Sequence, residues 1–458
     1  MDRKKRRAHL VGIGGIGMSG IAEVLLNLGH EVSGSDLADG PQTQRLSSMG
    51  ARVFLGHDSE NVRGADVVVV SSAVGEDNPE IMTARAMRIP VIPRAEMLSE
   101  LMRLKFSVAV AGSHGKTSTC SMLGTILTEG GLDPTLIIGG KVKNLGLNAR
   151  LGQGDFLVAE ADESDGSFLL LSPTVSVVTN IDREHMNYYR DMEHLKDTFL
   201  SFINKVPFYG AAVLCQDDPR VREILPRVKK RFITYGFDAE AQVTARAVGR
   251  EDWGYSFDLL ERGRKLGRLR VNLPGLHNVL NALAAAAVSL ELGLSFEVLR
   301  KGLLNLSGVG RRFERKGEAG GVRVLDDYAH HPAEIRATLK TLSECFPADR
   351  KVVLFQPHRH TRTQDLFSEF AVSFGEADLL MLADIYSAGE RAIEGVDAAR
   401  LAEAIREKGH GNVSYGGKVG EVAGKIVGIL KDGDVVLTLG AGNIHEAGDE
   451  ILRVLNAR

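Results

Sequence analysis

The chain has 458 residues, 44% hydrophobic and 25% charged, with a formal net charge of -3. Such a length accommodates about three domains, and the near-neutral balance, with no basic excess, argues against a nucleic-acid partner. Leu10-Val11 runs straight into glycines and no uncharged apolar stretch of roughly 20 residues occurs, so neither an export signal nor stable membrane insertion is expected. Cys120, Cys215 and Cys345 are few and far apart. They point to a reducing, cytoplasmic compartment and to neither a disulfide framework nor a zinc site.

The basic run Arg3–Arg7 reads as a solvated tail entering the first strand, Ala8–Gly12. Gly12-Ile-Gly14-Gly15-Ile-Gly17-Met18-Ser19-Gly20 follows, and a helix over Ile21–Leu28. A strand, glycines and a helix amino end form a cradle for a diphosphate. Asp36 ends the next strand, where a ribose-binding acid would lie. This first loop fits NAD, FAD or another nucleoside diphosphate, and a nicotinamide-dependent oxidoreductase is one reading of it.

After a strand at Val67–Ser71 and a helix and linker at Arg94–Lys105, the strand Phe106–Ala111 leads into Gly112-Ser113-His114-Gly115-Lys116-Thr117-Ser118. Backbone N–H groups in such a loop face phosphate oxygens, Lys116 supplies charge to the β- and γ-phosphates, and the Thr117 hydroxyl suits Mg²⁺. Val110 stands where the longer form of this motif has its first glycine. The strand Phe156–Glu160 ends in the acidic run Glu160-Ala-Asp-Glu-Ser-Asp165, and Mg²⁺ prefers such oxygen ligands. Val175–Thr179 ends in Asn180-Ile-Asp-Arg-Glu-His185-Met186, where His185 could ligate a metal or cap a helix. Phe232–Leu273 reads as a β-rich insert with hairpin turns at Gly263 and Gly267, and Ser307–Arg312 as a linker.

Val322–Leu325 then leads to Asp326-Asp-Tyr328-Ala-His330-His-Pro332, and Val352–Gln356 to Pro357-His-Arg359-His-Thr-Arg362-Thr363. Read as adjacent strand ends, these gather histidines with arginines suited to gripping a carboxylate through two parallel hydrogen bonds. Strands Leu379–Ala383 and Val435–Leu439 follow, the latter ending in Gly440-Ala-Gly442-Asn443. Alternating strands and helices imply three α/β domains, over residues 1–100, 101–308 and 309–458.

Jointly, Gly12–Gly20, Gly112–Thr119, Glu160–Phe168, Thr179–Met186, Leu273–Ala285, Gly310–Glu314, Asp326–Pro332 and Phe355–Thr363 resemble the Mur ligases of peptidoglycan synthesis over nearly the whole chain. The short Gly-x-x-Gly-Lys-Thr loop is that family's form. The resemblance implies a Rossmann-like N-terminal domain, a central P-loop α/β ATPase-like domain and a C-terminal Rossmann-like domain. It implies ATP and Mg²⁺ as cofactors. Gly12, Gly14, Gly15, Gly17, Met18, Ser35 and Asp36 would hold a UDP-sugar. Gly112 to Ser118, with His277, Asn278, Asn281 and Arg312, would hold ATP, and Thr117, Glu160 and His185 the metal. Tyr328, His330, Arg359 and Arg362 would serve the amino acid, and Lys116, His330, Arg359 and Arg362 the chemistry.

The glycine-rich start, Glu184-His185-Met186 and Gln356-Pro-His-Arg359 favour the branch acting on UDP-N-acetylmuramate and L-alanine over the murein-tripeptide recycling branch. A monomer or homodimer is expected. His360 and Asn187 depart from the family's usual Tyr and Asp.

Overall fold

The computed structural model describes residues 5–71, 73–142, 147–186 and 188–457, so Arg3, Lys4 and Asn187 lie outside the described residues. Two compact units are distinguished: 1–249, 256–271 and 279–307 form the first, and 250–255, 272–278 and 308–458 the second.

The first unit carries two sheets. Its N-terminal sheet is parallel, in the order Arg52–Leu55, Glu31–Asp36, Arg7–Val11, Val67–Val70 and Val91–Pro93. Leu10 and Val11 are wholly buried, as are Val68 and Val69. Burying each such side chain contributes about 1.5–3 kcal/mol, which explains why these short apolar runs settle as covered strands. The chain winds outward in both directions from Arg7–Val11, so the loop after Val11 opens at a switch point, the usual place for a ligand crevice.

The second sheet has ten strands among the described residues. At its centre Phe106–Ala111 lies between Phe156–Glu160 and Val175–Val178, all parallel. The pairings Val110 with Glu160 and Ala111 with Val178 bring three strand ends to one edge. The phosphate loop, the acidic run and the segment from Thr179 therefore leave the sheet side by side. Ala211–Cys215, Phe232–Gly236 and Val243–Glu251 extend the sheet in parallel. The hairpin strands Gly254–Glu261 and Arg264–Val271 complete that side. The β-rich insert is thus a continuation of the central sheet. Gly263 does sit in a turn, with φ +79, but Gly267 lies inside the last strand. A Cβ at Gly267 would come within 2.5 Å of the Phe296 ring, so this glycine admits a packed helix and makes no turn.

The second unit holds a six-stranded sheet in the order Glu314–Ala319, Val322–Asp327, Val435–Leu439, Lys351–Phe355, Leu379–Ala383 and Val413–Gly417. Only the first pairing is antiparallel. Val435–Leu439 lies between the two strands expected to be neighbours, because the chain returns to the middle of the sheet last. The Tyr328 and Arg359 segments are therefore separated by the third glycine segment. Trp253 packs in this unit against Phe313 and Phe346, with ring centroids at 5.6 and 5.9 Å.

Candidate active site

Gly112 has φ +132 and Gly115 φ +83, conformations that a side chain rarely adopts. A Cβ at Gly112 would fall 2.0 Å from the Thr179 hydroxyl, and one at Gly115 2.5 Å from Oδ1 of Asn281. The loop is clamped by the next strand end. Thr179 Oγ1 donates to the His114 carbonyl at 2.6 Å, the His114 N–H donates to Asn180 Oδ1 at 2.8 Å, and the Asp182 N–H donates to Ser113 Oγ at 2.8 Å. Asp182 also meets His114 Nε2 at 3.2 Å and receives Arg220 at 3.2 Å. Lys116 then opens the helix Lys116–Glu129.

Lys116 is preset. Its Nζ donates to the Gly112 carbonyl at 2.6 Å and to both oxygens of Glu163 at 2.7 and 2.8 Å. Burial pulls its ammonium down, but Glu163, Glu184 and Asp162 outweigh that and hold it above its usual value, so it stays charged. Glu163 is itself buried, and its backbone carbonyl accepts the Tyr189 hydroxyl.

Ligand atoms of Glu163, Glu184 and His185 lie within 4.8 Å of one another. Glu160 stands on the adjoining strand end, with Oε1 buried and without a hydrogen-bond partner. Thr117 is buried at the helix start. His185 has φ +56, a conformation uncommon outside glycine, held by the turn in which Tyr188 and Tyr189 N–H groups bond its carbonyl. The acidic cluster therefore centres on Glu163 as much as on Glu160. Sequence reading placed Glu163 in the acidic run without a role, because nothing in spacing along the chain reveals that it faces Lys116.

In the first loop, Gly12 (φ +81) and Ile13 donate their N–H groups to the Ser35 carbonyl, and Gly14 donates to Asp36 Oδ2 at 2.8 Å. Gly15 precedes the helix Ile16–Asn27. Met18 is buried, a core residue of that helix. Ser35 is turned inward. It is fully buried and its hydroxyl donates to Glu80, which also accepts from Asn61 at 2.7 Å and pairs with His57 at 3.0 Å. The Ser35 side chain thus supports the loop from beneath and does not face a ligand, a correction to the sequence expectation. The alternation of the strand decides this: Asp36 faces the loop, so Ser35 faces the core.

In the second unit, the Tyr328 ring lies under the guanidiniums of Arg311 and Arg312, at 5.0 and 5.1 Å. Arg311 is anchored by Asp326 at 3.1 Å and by the carbonyls of Gly440 and Gly442, which ties the third glycine segment to this cluster. His330 Nδ1 meets the Tyr328 carbonyl at 3.0 Å, and its ring lies 5.8 Å from His358. Arg362 reaches His358 Nδ1 at 3.1 Å, and Arg359 has φ +70 with its N–H on the Tyr386 carbonyl. Burial and the neighbouring His330, Arg362, Arg359 and Arg311 push His358 down to about 3, so it is neutral near pH 7. His277 and Asn278 belong to this unit, where Asn278 Nδ2 donates to the Pro274 carbonyl at 2.7 Å.

The structure thus gathers Gly112–Ser118, Glu160, His185 and Asn281 in the first unit. Tyr328, His330, Arg359, Arg362, Arg312, His277 and Asn278 fall in the second. Arg311, Glu163, Glu184 and Asp182 are additions. Arg311 could have been suspected from its place beside Arg312.

Residues 7–106 match the Mur ligase family catalytic domain, 110–289 the Mur ligase middle domain, and 311–442 the Mur ligase glutamate ligase domain. The chain belongs to the Mur ligase family. It is 56% identical over 457 residues to UDP-N-acetylmuramate–L-alanine ligase of Geobacter sp. (strain M21), covering 100% of this chain and 99% of the relative. The enzyme of that name from Trichlorobacter lovleyi is 56% identical over 450 residues, covering 98% and 99%. Among solved structures, UDP-N-acetylmuramate–alanine ligase of Thermotoga maritima superposes with a TM-score of 0.82 at 28% identity, covering 99% of both chains. A murein peptide ligase of Psychrobacter arcticus shares the fold with a TM-score of 0.72 at 24% identity, again covering 99% of both. The three-domain α/β architecture and the use of ATP follow from membership. Among the described residues no helix is long and apolar enough to cross a membrane.

Proposed function

We propose that this chain joins L-alanine to the carboxylate of UDP-N-acetylmuramate, driven by ATP, in the cytoplasmic assembly of peptidoglycan precursors. The observation that carries the reading is full-length similarity, at 56% identity, to ligases of that name. The phosphate loop with its preset lysine supports it.

A carboxylate is a poor electrophile, and ATP supplies the leaving group. The muramoyl carboxylate attacks the γ-phosphorus in line, the bond to the β-phosphate oxygen breaks, and ADP and an acyl phosphate form. Lys116 neutralises charge that develops on the transferring group. The neutral amine of L-alanine then attacks the acyl carbon, inorganic phosphate leaves, and an amide remains. With Nδ1–H directed at the Tyr328 carbonyl, His330 offers Nε2 as acceptor for the amine proton. Arg359 and Arg362 hold the alanine carboxylate beside Tyr328.

Asn281, His277, Asn278 and Arg312 serve ATP, and the backbone of Gly12, Gly14, Gly15 and Gly17 with Asp36 serves the UDP group. Mg²⁺ fits the oxygen-rich donors Thr117 and Glu160 with His185, the unpartnered buried Glu160 oxygen being the feature that asks for a cation. When bound, it would offset phosphate charge.

The deciding experiment is ADP release with UDP-N-acetylmuramate and each amino acid in turn. Release should require both the sugar nucleotide and L-alanine. Turnover with a murein tripeptide alone would assign the chain to the recycling branch, and turnover without any muramoyl substrate would reject the reading. Arg362→Ala should raise the KM for alanine about 10–100-fold, the loss of a charged hydrogen-bonding pair, with the KM for ATP little changed. Equal effects on both would remove Arg362 from the amino-acid site.

A further inference from the structure

The first glycine loop leads into a helix amino end that suits a diphosphate, but the N–H groups of Gly12, Ile13 and Gly14 are taken by Ser35 and Asp36, and none of the residues expected to hold the UDP-sugar carries a positive charge. A diphosphate brings at least two negative charges, and N–H groups at a helix end offset only part of that. The structure places a cation there.

Arg94 begins the helix Arg94–Met102 directly after the edge strand Val91–Pro93, on the same carboxyl edge of the sheet as the glycine loop. Its side chain packs against the first turn of the helix Ile16–Asn27. A Cβ at Gly17 would fall 2.8 Å from Nη1, 3.2 Å from Cδ and 3.4 Å from Cζ of Arg94. Gly17 is therefore the residue that lets an arginine approach the helix end, since any side chain there would displace it. One edge of the guanidinium is held by Asp162, with Nη2 donating to Oδ2 at 3.2 Å.

Asp162 belongs to the acidic run and precedes Glu163, the partner of Lys116. Its Oδ1 accepts the Ser164 N–H at 3.1 Å, which holds the carboxylate in place for Arg94. The Arg94 side chain retains 21% exposure, enough to meet a ligand.

We propose that Arg94 is the binding residue that reads the diphosphate of the sugar nucleotide, with Gly17 making room for it and Asp162 holding its orientation. The inference rests on the proposed UDP-sugar substrate. It also explains how the two loops share one charge arrangement: two adjacent carboxylates, Asp162 and Glu163, each hold one cation, Arg94 for the first loop and Lys116 for the second. A planar guanidinium gripped on one side by a carboxylate presents its remaining N–H groups in a fixed fork, the geometry that suits phosphate oxygens.

The test uses the full chain and measures binding of UDP, of UDP-N-acetylmuramate and of a non-hydrolysable ATP analogue by calorimetry. Arg94→Ala should weaken UDP and UDP-N-acetylmuramate by a similar factor, about 10–100-fold, and leave the ATP analogue within about twofold. Arg94→Lys, which keeps the charge but loses the fork, should recover part of the loss. Unchanged UDP affinity in Arg94→Ala overturns the proposal. Weakened UDP-N-acetylmuramate with unchanged UDP does so too, because the arginine would then read the muramoyl carboxylate. Equal loss of ATP-analogue binding would mark a general structural role and also overturn it. If the wild-type chain binds neither UDP ligand, the proposed function fails with it. If the wild type binds and turns over both substrates while Arg94→Ala binds UDP normally, only the present inference fails.

Discussion

The two glycine loops of the first unit share one plan, a buried parallel strand, glycines in left-handed backbone and a helix amino end, yet they are built for different work. The first is shaped by its neighbouring strand, with Gly12 and Ile13 on the Ser35 carbonyl and Gly14 on the Asp36 carboxylate. It rests on a floor of buried Ser35 and Glu80 with half-buried His57 and Asn61. The second is clamped by the side chains of Thr179 and Asn180 and by the Asp182 N–H on Ser113, and carries its own half-buried cation in Lys116. On the proposed function, similar backbone geometry serves a holding site in one place and a reacting site in the other. The difference lies in which side chains the adjacent strand ends deliver.

The sharpest way to break this contrast is Lys116→Ala. It should lower ligation by a factor of about 1,000 or more, the size of effect expected when a preorganised charge at the transferring group is lost. UDP-N-acetylmuramate affinity should stay within about twofold in calorimetry. A parallel loss at both loops would show that they do not act separately.

A smaller effect compares glycines. Gly112→Ala combines φ +132 with a 2.0 Å clash on Thr179, whereas a Cβ at Gly14 meets the side chains of Asp36, at 2.9 Å, and Thr43, at 3.2 Å. The first should raise the KM for ATP about 10–100-fold, from roughly 1–3 kcal/mol of strain. Gly14→Ala should change the KM for the sugar nucleotide less than that, since a side chain can move aside and a strained backbone cannot. The reverse order in steady-state kinetics would refute the packing argument.

The smallest effect concerns the floor of the first loop. Burial opposes ionisation of Glu80, but hydrogen bonds from His9, Ser35 and Asn61 prevail and lower it from 4.5 to about 2. A carboxyl depressed in the folded state adds stability above its unfolded value, and that contribution is lost as pH falls from 4.5 toward about 2. The contribution is about 3 kcal/mol at most, from a shift of this size. Melting curves for Glu80→Gln should therefore depend less on pH across that window than those of the wild type. Identical slopes would mean that the floor is not held by an ionised Glu80.

The elements that sequence reading captured are those in which one strand end carries its own chemistry. Gly112 to Ser118, Glu160 and His185 all follow continuous apolar runs, and the central sheet places them together. What escaped depends on partners distant in sequence. Glu163 faces Lys116 across 47 positions, and Arg94 meets Asp162 across 68. Ser35 was misjudged because a strand's alternation assigns its face only once its neighbours are known. The order of the last sheet was misread because Val435–Leu439, late in the chain, inserts between strands that succeed one another in sequence. Gly267 looked like a turn since sequence cannot distinguish a glycine that bends the chain from one that yields space to a phenylalanine.

His185 and Arg359 both sit in left-handed backbone, at φ +56 and +70. A sequence chosen only for the comfort of this backbone would place glycine or asparagine at both positions. Optimising the chain for heat resistance alone would therefore press toward those residues and remove an imidazole and a guanidinium from the proposed sites. Durability and activity pull in opposite directions at these two points, and a hardened version of this ligase would have to draw its added stability from elsewhere in the fold.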